Sequence, residues 1–537
     1  MDDLFDFLLA RQSGGGGGFA PPVAPKDSLL FYSSKEIGIS IKNGAKNWNG
    51  TLYYSTDYTS WTEWDGTTEI VSVLYNGWHR IFLRGVSNTQ ITGATYGRGF
   101  VIRGSSVECK GNCNNLLNYT ASPKLGTWCF LGLFGDCTSL VSAPELPATE
   151  LAKYCYARMF EGCTSLVSAP ELPATELAED CYRLMFYRCT SLASAPVLPA
   201  TELAEKCYTS MFAHCASLTS APELPATELV ARCYESMFEG CTSLVSAPEL
   251  PATELAEKCY ISMFAHCTSL TTAPDLPATT LAEACYKHMF NACASLASAP
   301  ALPATTLVNE CYESMFYGCT SLTTAPALPA TELAEECYNN MFSHCFSLTV
   351  APTLPVTELV DRCYRGMFFD CTALTTAPAL PAATLANGCY DSMFAYCTSL
   401  TTAPVLSATN LAPQCYYNMF ANCTSLAIAP ALPATILTNS CYQQMFINCT
   451  SLASLPALPA TELVYGCYAS MFNGCSNIKI SETQDGEYQN EYRIPMSGTG
   501  IGAENSLVGI FSQTGGTFTS DPTINTTYYT SNTVINP

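Results

Sequence analysis

Cysteine is the residue in this chain with the most chemistry to offer, and its spacing is fixed. Twenty-eight of the thirty cysteines fall into fourteen pairs eight residues apart, from Cys129/Cys137 to Cys467/Cys475. His214, His266 and His344 each stand just before the second Cys of a pair. Such residues could form disulfides or hold a metal. A bridge within a pair fails if the segment is helical, because eight residues at 1.5 Å rise put the Cα atoms about 12 Å apart, beyond the ~7 Å limit. A Cys/His metal site fails on direction, since the His position reads as solvent-facing and the Cys as core-facing. The pattern therefore predicts free, buried thiols packing as small hydrophobes. Cys109 and Cys113 form a separate pair with no further ligand nearby. No P-loop, H-E-x-x-H or G-x-S-x-G motif is present. No catalytic residue, metal or cofactor is expected.

What positions the cysteines is a 26-residue repeat, C-Y-x-x-M-F-x-x-C-T-S-L-x-x-A-P-x-L-P-A-T-x-L-A-x-x, running over 129–475. A fixed period of this size means a solenoid, in which each unit buries its apolar face only against its neighbours. Numbering the first Cys as position 1, positions 1, 2, 5, 6, 9 and 12 hardly vary: Cys, Tyr, Met, Phe, Cys and Leu. With the Leu four residues before the first Cys they make a stripe at i, i+4, i+8 and i+12, which predicts one amphipathic helix per rung. Positions 3, 4, 7 and 8 change in nearly every copy and read as the wet face. Thr at position 21 (Thr149, Thr175, Thr201) reads as the N-cap, and Glu at position 22 (Glu150, Glu176, Glu202) suits the helix dipole. Pro at position 16 cannot donate to a sheet, so strands of only three or four residues are expected at positions 12–15.

The M-F-x-x-C-T-S-L core resembles the A-F-x-x-C-x-x-L core of BspA-type leucine-rich repeats. The resemblance covers residues ~125–515, with Met for Ala and Ala-Pro in place of the usual apolar strand residues. It implies an α/β solenoid with short strands, a surface location, adhesion or ligand binding, and no catalysis.

Five domain segments are expected. Residues 1–26 read as a docking peptide, with Leu4, Phe5, Leu8 and Leu9 as one apolar turn ahead of five glycines and a Pro-rich joint. Residues 27–107 read as a small all-β sandwich, 108–128 as the N-terminal cap, 129–475 as the solenoid, and 476–537 as a degenerate repeat and cap. In the last segment Ile510 and Phe511 take the Met and Phe places. The sandwich holds Trp61, Trp64 and Trp78; such rings usually fill a small core, and if exposed they would stack on sugars.

Net charge is −22, which makes nucleic acid and anionic membrane poor partners, so neither nucleic-acid binding nor membrane insertion is expected. No apolar run is long enough to span a membrane. MDDLFDFLLARQ lacks the basic n-region of a secretory signal. Position 17 divides the repeats into two zones. It is acidic at Glu145, Glu171, Glu223, Glu249 and Asp275, then mostly Ala, Val or Thr from Ala301 on. Drift among duplicated units accounts for this without function; a binding face for a cationic partner is the alternative. The expected role is a non-enzymatic adhesion protein at an extracellular or virion surface, contacting a cell-surface protein or glycan. A phage fibre or virion decoration held through the N-terminus is its expected form, with a bacterial cell-surface adhesin and a purely structural spacer in an assembly as the alternatives.

Overall fold

The computed structural model describes residues 20–23, 25–44, 46–95, 97, 99–495 and 503–531. Leu4, Phe5, Leu8 and Leu9 lie outside the described residues. Two compact units are present. One takes in the described residues up to Ala252 together with Met263–Leu270; the other takes in Thr253–Ser262 and those from Thr271 on.

The rung is not a helix. Among the described residues the one α-helix is α1 (Asn115–Asn118), outside the repeat. Positions 1–9 form a chain of turns whose hydrogen bonds alternate in direction. Odd positions donate three residues back: Cys155 N to Ala152 O at 3.1 Å, Met159 N to Tyr156 O at 3.2 Å, Cys163 N to Phe160 O at 3.1 Å. Even positions donate to the next rung: Tyr156 N to Cys181 O at 3.1 Å, Arg158 N to Arg183 O at 2.8 Å, Phe160 N to Met185 O at 2.9 Å. The second unit repeats this, with Tyr338 N on Cys363 O at 3.1 Å and Phe342 N on Met367 O at 2.9 Å.

The physical reason is the period. Four residues turn an α-helix by about 400°, so a strict four-residue stripe drifts by about 40° per step and loses the core within three steps. The chain keeps the stripe by placing every fourth residue, at positions 26, 4 and 8, in the left-handed region. Tyr154, Arg158 and Gly162 have φ of 56°, 55° and 71°, and Glu336, Asn340 and His344 have 54°, 53° and 60°. Outside glycine each such residue costs roughly 1 kcal/mol. The inter-rung bonds and the buried stack hold it there.

That stack is regular. Phe134 and Phe160 lie 5.4 Å apart with planes 4° from parallel; Phe342 and Phe368 lie 5.8 Å apart at 8°. Tyr182 and Tyr208 are 5.8 Å apart at 4°. Leu at positions 12 and 18 completes the core, as Leu166 and Leu172 show at 0% and 3% exposure.

The strand side is also reduced. Apart from β10 (Leu140–Ser142), the described repeats pair there only through single-residue parallel bridges, such as Ser220↔Ser246 and Thr376↔Thr402 at position 14. Two residues later comes Pro, which has no N–H to extend a ladder. Position 22 behaves likewise: Glu150 bridges Glu176 and Thr306 bridges Glu332, so the Thr-Glu step is extended backbone and not a helix cap.

The N-terminal part is all β. Its strands are β1 (Leu29–Ser33), β2 (Gly38–Ile41), β3 (Thr51–Ser55), β4 (Thr62–Glu63), β5 (Ile70–Val71), β6 (Val73–Tyr75), β7 (Trp78–Val86), β8 (Phe100–Arg103) and β9 (Val107–Lys110). One sheet runs β10-β9-β1-β7-β3-β4 with β6 also on β7; the other is β5-β2-β8. Phe31 of the first meets Phe100 of the second at 6.4 Å, and both meet Phe134 of the first rung. The solenoid core therefore begins inside this part, and β9 pairs in parallel with β10 across the 107/108 boundary.

At the far end, residues 506–512 accept the bonds a further rung would take: Phe472 N reaches Ile510 O at 3.0 Å, and Phe511 stacks on Phe472 at 6.2 Å. The last sheet, of β11 (Ile480–Ser481), β13 (Thr526–Thr530) and β12 (Asn490–Ile494), follows.

Candidate binding surfaces

The leucine at repeat position 18 turns into the core and the proline at position 16 is at most partly exposed, so the side chain between them, at position 17, points to solvent. Glu145, Glu171, Glu223 and Glu249 in the first unit and Asp275 in the second are all exposed. Among the described residues none of these five takes part in an ion pair. Acids of neighbouring columns do: Glu150 with Lys124 at 3.1 Å and Glu179 with Lys153 at 2.6 Å. From Ala301 to Ala431 the same column is mostly apolar and is also exposed, with Val405 at 81%. There Pro352, Thr353, Pro355, Pro378, Ala379 and Pro381 line a shallow depression of about 200 Å³. The position-17 pattern does not by itself mark this depression; its signal in the sequence is the pair of prolines at positions 16 and 19. The column ends at Ala457, which is buried at 4% exposure, next to Pro456, whose carbonyl accepts a bond from Tyr492 Oη at 3.1 Å.

Of the three tryptophans Trp64 is buried, and Trp61 and Trp78 are partly buried against other side chains. Trp64 is 1% exposed, stacks on Trp48 at 5.4 Å and donates from Nε1 to Thr68 O at 3.0 Å. Trp61 has the Arg84 guanidinium 3.8 Å over its ring, and the same guanidinium lies 4.2 Å over Tyr119. Trp78 packs on Tyr32 at 5.3 Å and donates to Ala20 O at 3.0 Å. A part with two thin sheets needs large rings to make a core, and it uses these.

All thirty cysteines are buried free thiols. Position 9 has a further task. Its thiol donates to the Phe carbonyl of the preceding rung, at 3.0 Å for Cys189 on Phe160 O and 3.1 Å for Cys345 on Phe316 O. Burial pushes the Cys345 and Cys241 thiols up to about 12. A thiol so protonated is a poor nucleophile. Beside Cys345, His344 Nδ1 and Asp370 Oδ2 are 2.9 Å apart. Among the described residues no group of three His, Cys, Asp or Glu side chains is placed to hold a metal.

The model of the BspA type leucine rich repeat region, in six copies, matches residues 131–245, 205–349, 256–375, 283–427 and 386–488. No curated protein sequence matches this chain. The crystal structure of a TLR13–ssRNA13 complex is similar at 14% identity over 59% of this chain and 42% of that one, with a TM-score of 0.22, a likeness that carries no argument.

Proposed function

This chain belongs to the BspA-type leucine-rich-repeat family, and from that premise we propose that it is a non-enzymatic binding protein that holds a cell-surface protein or glycan against its position-17 face. The observation that supports this is the run of exposed, unpaired carboxylates at Glu145, Glu171, Glu223 and Glu249. Glu150 and Glu179 in neighbouring columns are matched by lysine, whereas among the described residues these four carboxylates make no ion pair, on the kind of extended surface with which repeat proteins make contacts. Its partner is cationic over that stretch. The test is adhesion of the full chain to whole cells and to a basic protein panel. Glu223→Lys with Glu249→Lys, and Asp275→Lys in the other unit, should weaken binding at least tenfold at low salt and less at high salt. Unchanged affinity overturns the reading.

Residues 1–26 carry a finer form of the same proposal. Leu4, Phe5, Leu8 and Leu9 ahead of Gly14–Gly18 make a peg and tether by which the protein is displayed on a larger particle, a virion included. Fractionation separates the forms: release with particles supports display on a virion, and recovery with the envelope supports a cell-surface adhesin.

A further inference from the structure

The turn side of the first unit carries a feature of opposite character. Positions 3, 4, 7, 8 and 26 of successive rungs line an open groove of about 520 Å³, within the size range of small-ligand sites. Four of its side chains are cationic: Arg158, Arg183, Lys206 and Arg232. They come from three consecutive repeats of a chain whose net charge is −22.

Flanking acids engage two of these cations closely, Lys206 standing 2.5 Å from Glu205, and the other two loosely. Arg158 pairs with Glu161 at 3.0 Å. Arg183 and Arg232 stand 3.6 Å from Asp180 and Glu235, longer than a hydrogen bond. The Arg183 Nε has no hydrogen-bond partner. Arg183 is nevertheless 41% exposed along its side chain, so its outer donors reach the groove.

We propose that this groove binds an acidic saccharide. Three features select that class. The guanidinium fork matches a planar carboxylate. Glu239 and Ser210 offer acceptors and a donor for ring hydroxyls, and Tyr187 and Leu184 give an apolar floor for a ring face. A long polyanion is disfavoured by the acids in the same groove, Glu161, Glu235 and Glu239, and by the charge of the whole chain. A ligand with one carboxylate meets that repulsion only within about 8 Å at physiological salt.

The test is calorimetric titration of the full chain with digalacturonic acid and N-acetylneuraminic acid, beside neutral digalactose, inorganic phosphate and polyglutamate. An acidic sugar should bind about tenfold more tightly than the neutral one, the worth of one charge-assisted hydrogen bond. Arg183→Gln and Arg232→Gln should each remove about that factor, and Arg362→Gln, which pairs with Glu336 in the other unit, should change nothing. Arg183→Gln also strips the buried Asp180 of its cation; if that variant does not fold, Lys206→Gln gives the same reading. Equal binding of acidic and neutral sugars, no binding of either, or tighter binding of phosphate or polyglutamate overturns the proposal. So does an affinity indifferent to the groove variants.

Discussion

Cys345 decides whether the position-9 thiols are filler or hydrogen-bond donors. The side chain is fully buried, and its Sγ donates at 3.1 Å to Phe316 O, which also accepts from Cys319 N at 3.1 Å. With its pKa pushed up to about 12, the thiol carries its proton at neutral pH. Cys345→Ala removes a group comparable to a methylene, about 1 kcal/mol of transfer energy. A residual void of roughly 25 Å³ adds about 0.6 kcal/mol at ~24 cal/mol per Å³. Phe316 O keeps its bond from Cys319, so no acceptor is orphaned, and the total is about 1.5 kcal/mol. Cys345→Ser keeps a donor in place, and its bond offsets most of the hydroxyl's desolvation, leaving a loss of about 1 kcal/mol or less. Were the thiol only apolar filler, the order would reverse, because a buried hydroxyl without an acceptor costs about 1–3 kcal/mol. A rung touches only its neighbours, so the effect is local. Hydrogen exchange of the Phe316, Phe342 and Phe368 amides reads it, since each is bonded to the next rung's Met carbonyl at 2.9–3.0 Å. Faster exchange in the Ser variant than in the Ala variant refutes the donor role.

The turn-built rung makes a prediction opposite to a helix. Ser262 has φ of 53°, so Ser262→Gly should be neutral or stabilising by up to about 1 kcal/mol, whereas a helical site would lose about that much; urea denaturation distinguishes them. The thiols also set an alkaline limit. Burial raises their folded pKa above the unfolded value, to about 12 for Cys345. Their contribution is therefore fully present below the unfolded value of about 9 and is lost as pH rises toward 12, at up to 1.4 kcal/mol per thiol per pH unit. Stability measured by denaturation should fall steeply from about pH 9, and a flat profile to pH 11 would contradict the burial of the columns.

Much of the rung was legible because it is repeated. Variation among the copies separates Cys, Tyr, Met, Phe, Cys and Leu, which are buried, from positions 3, 4, 7 and 8, which mostly are not. The backbone conformation was harder to read, because a stripe at i, i+4 and i+8 fits one turn of a helix well and fails only over several turns. The glycines held the missing signal. Gly162 and Gly240 at position 8, Gly366 at position 4 and Gly388 at position 26 all fall on the left-handed sites. The basic groove escaped notice because its cations come from different columns and meet only after the rungs stack.

The sequence by itself determined the period, the inward and outward faces, the buried thiols and the exposure of position 17, since these follow from composition at fixed spacing. Tertiary structure decided the rest. Four of the nine N–H groups at positions 1–9 find their acceptors on the next rung, so no isolated unit can show whether it is helix or turn. Only stacking brings Arg158, Arg183, Lys206 and Arg232 around one groove, and only the meeting of two sheets with the first rung sends Trp64 into a core.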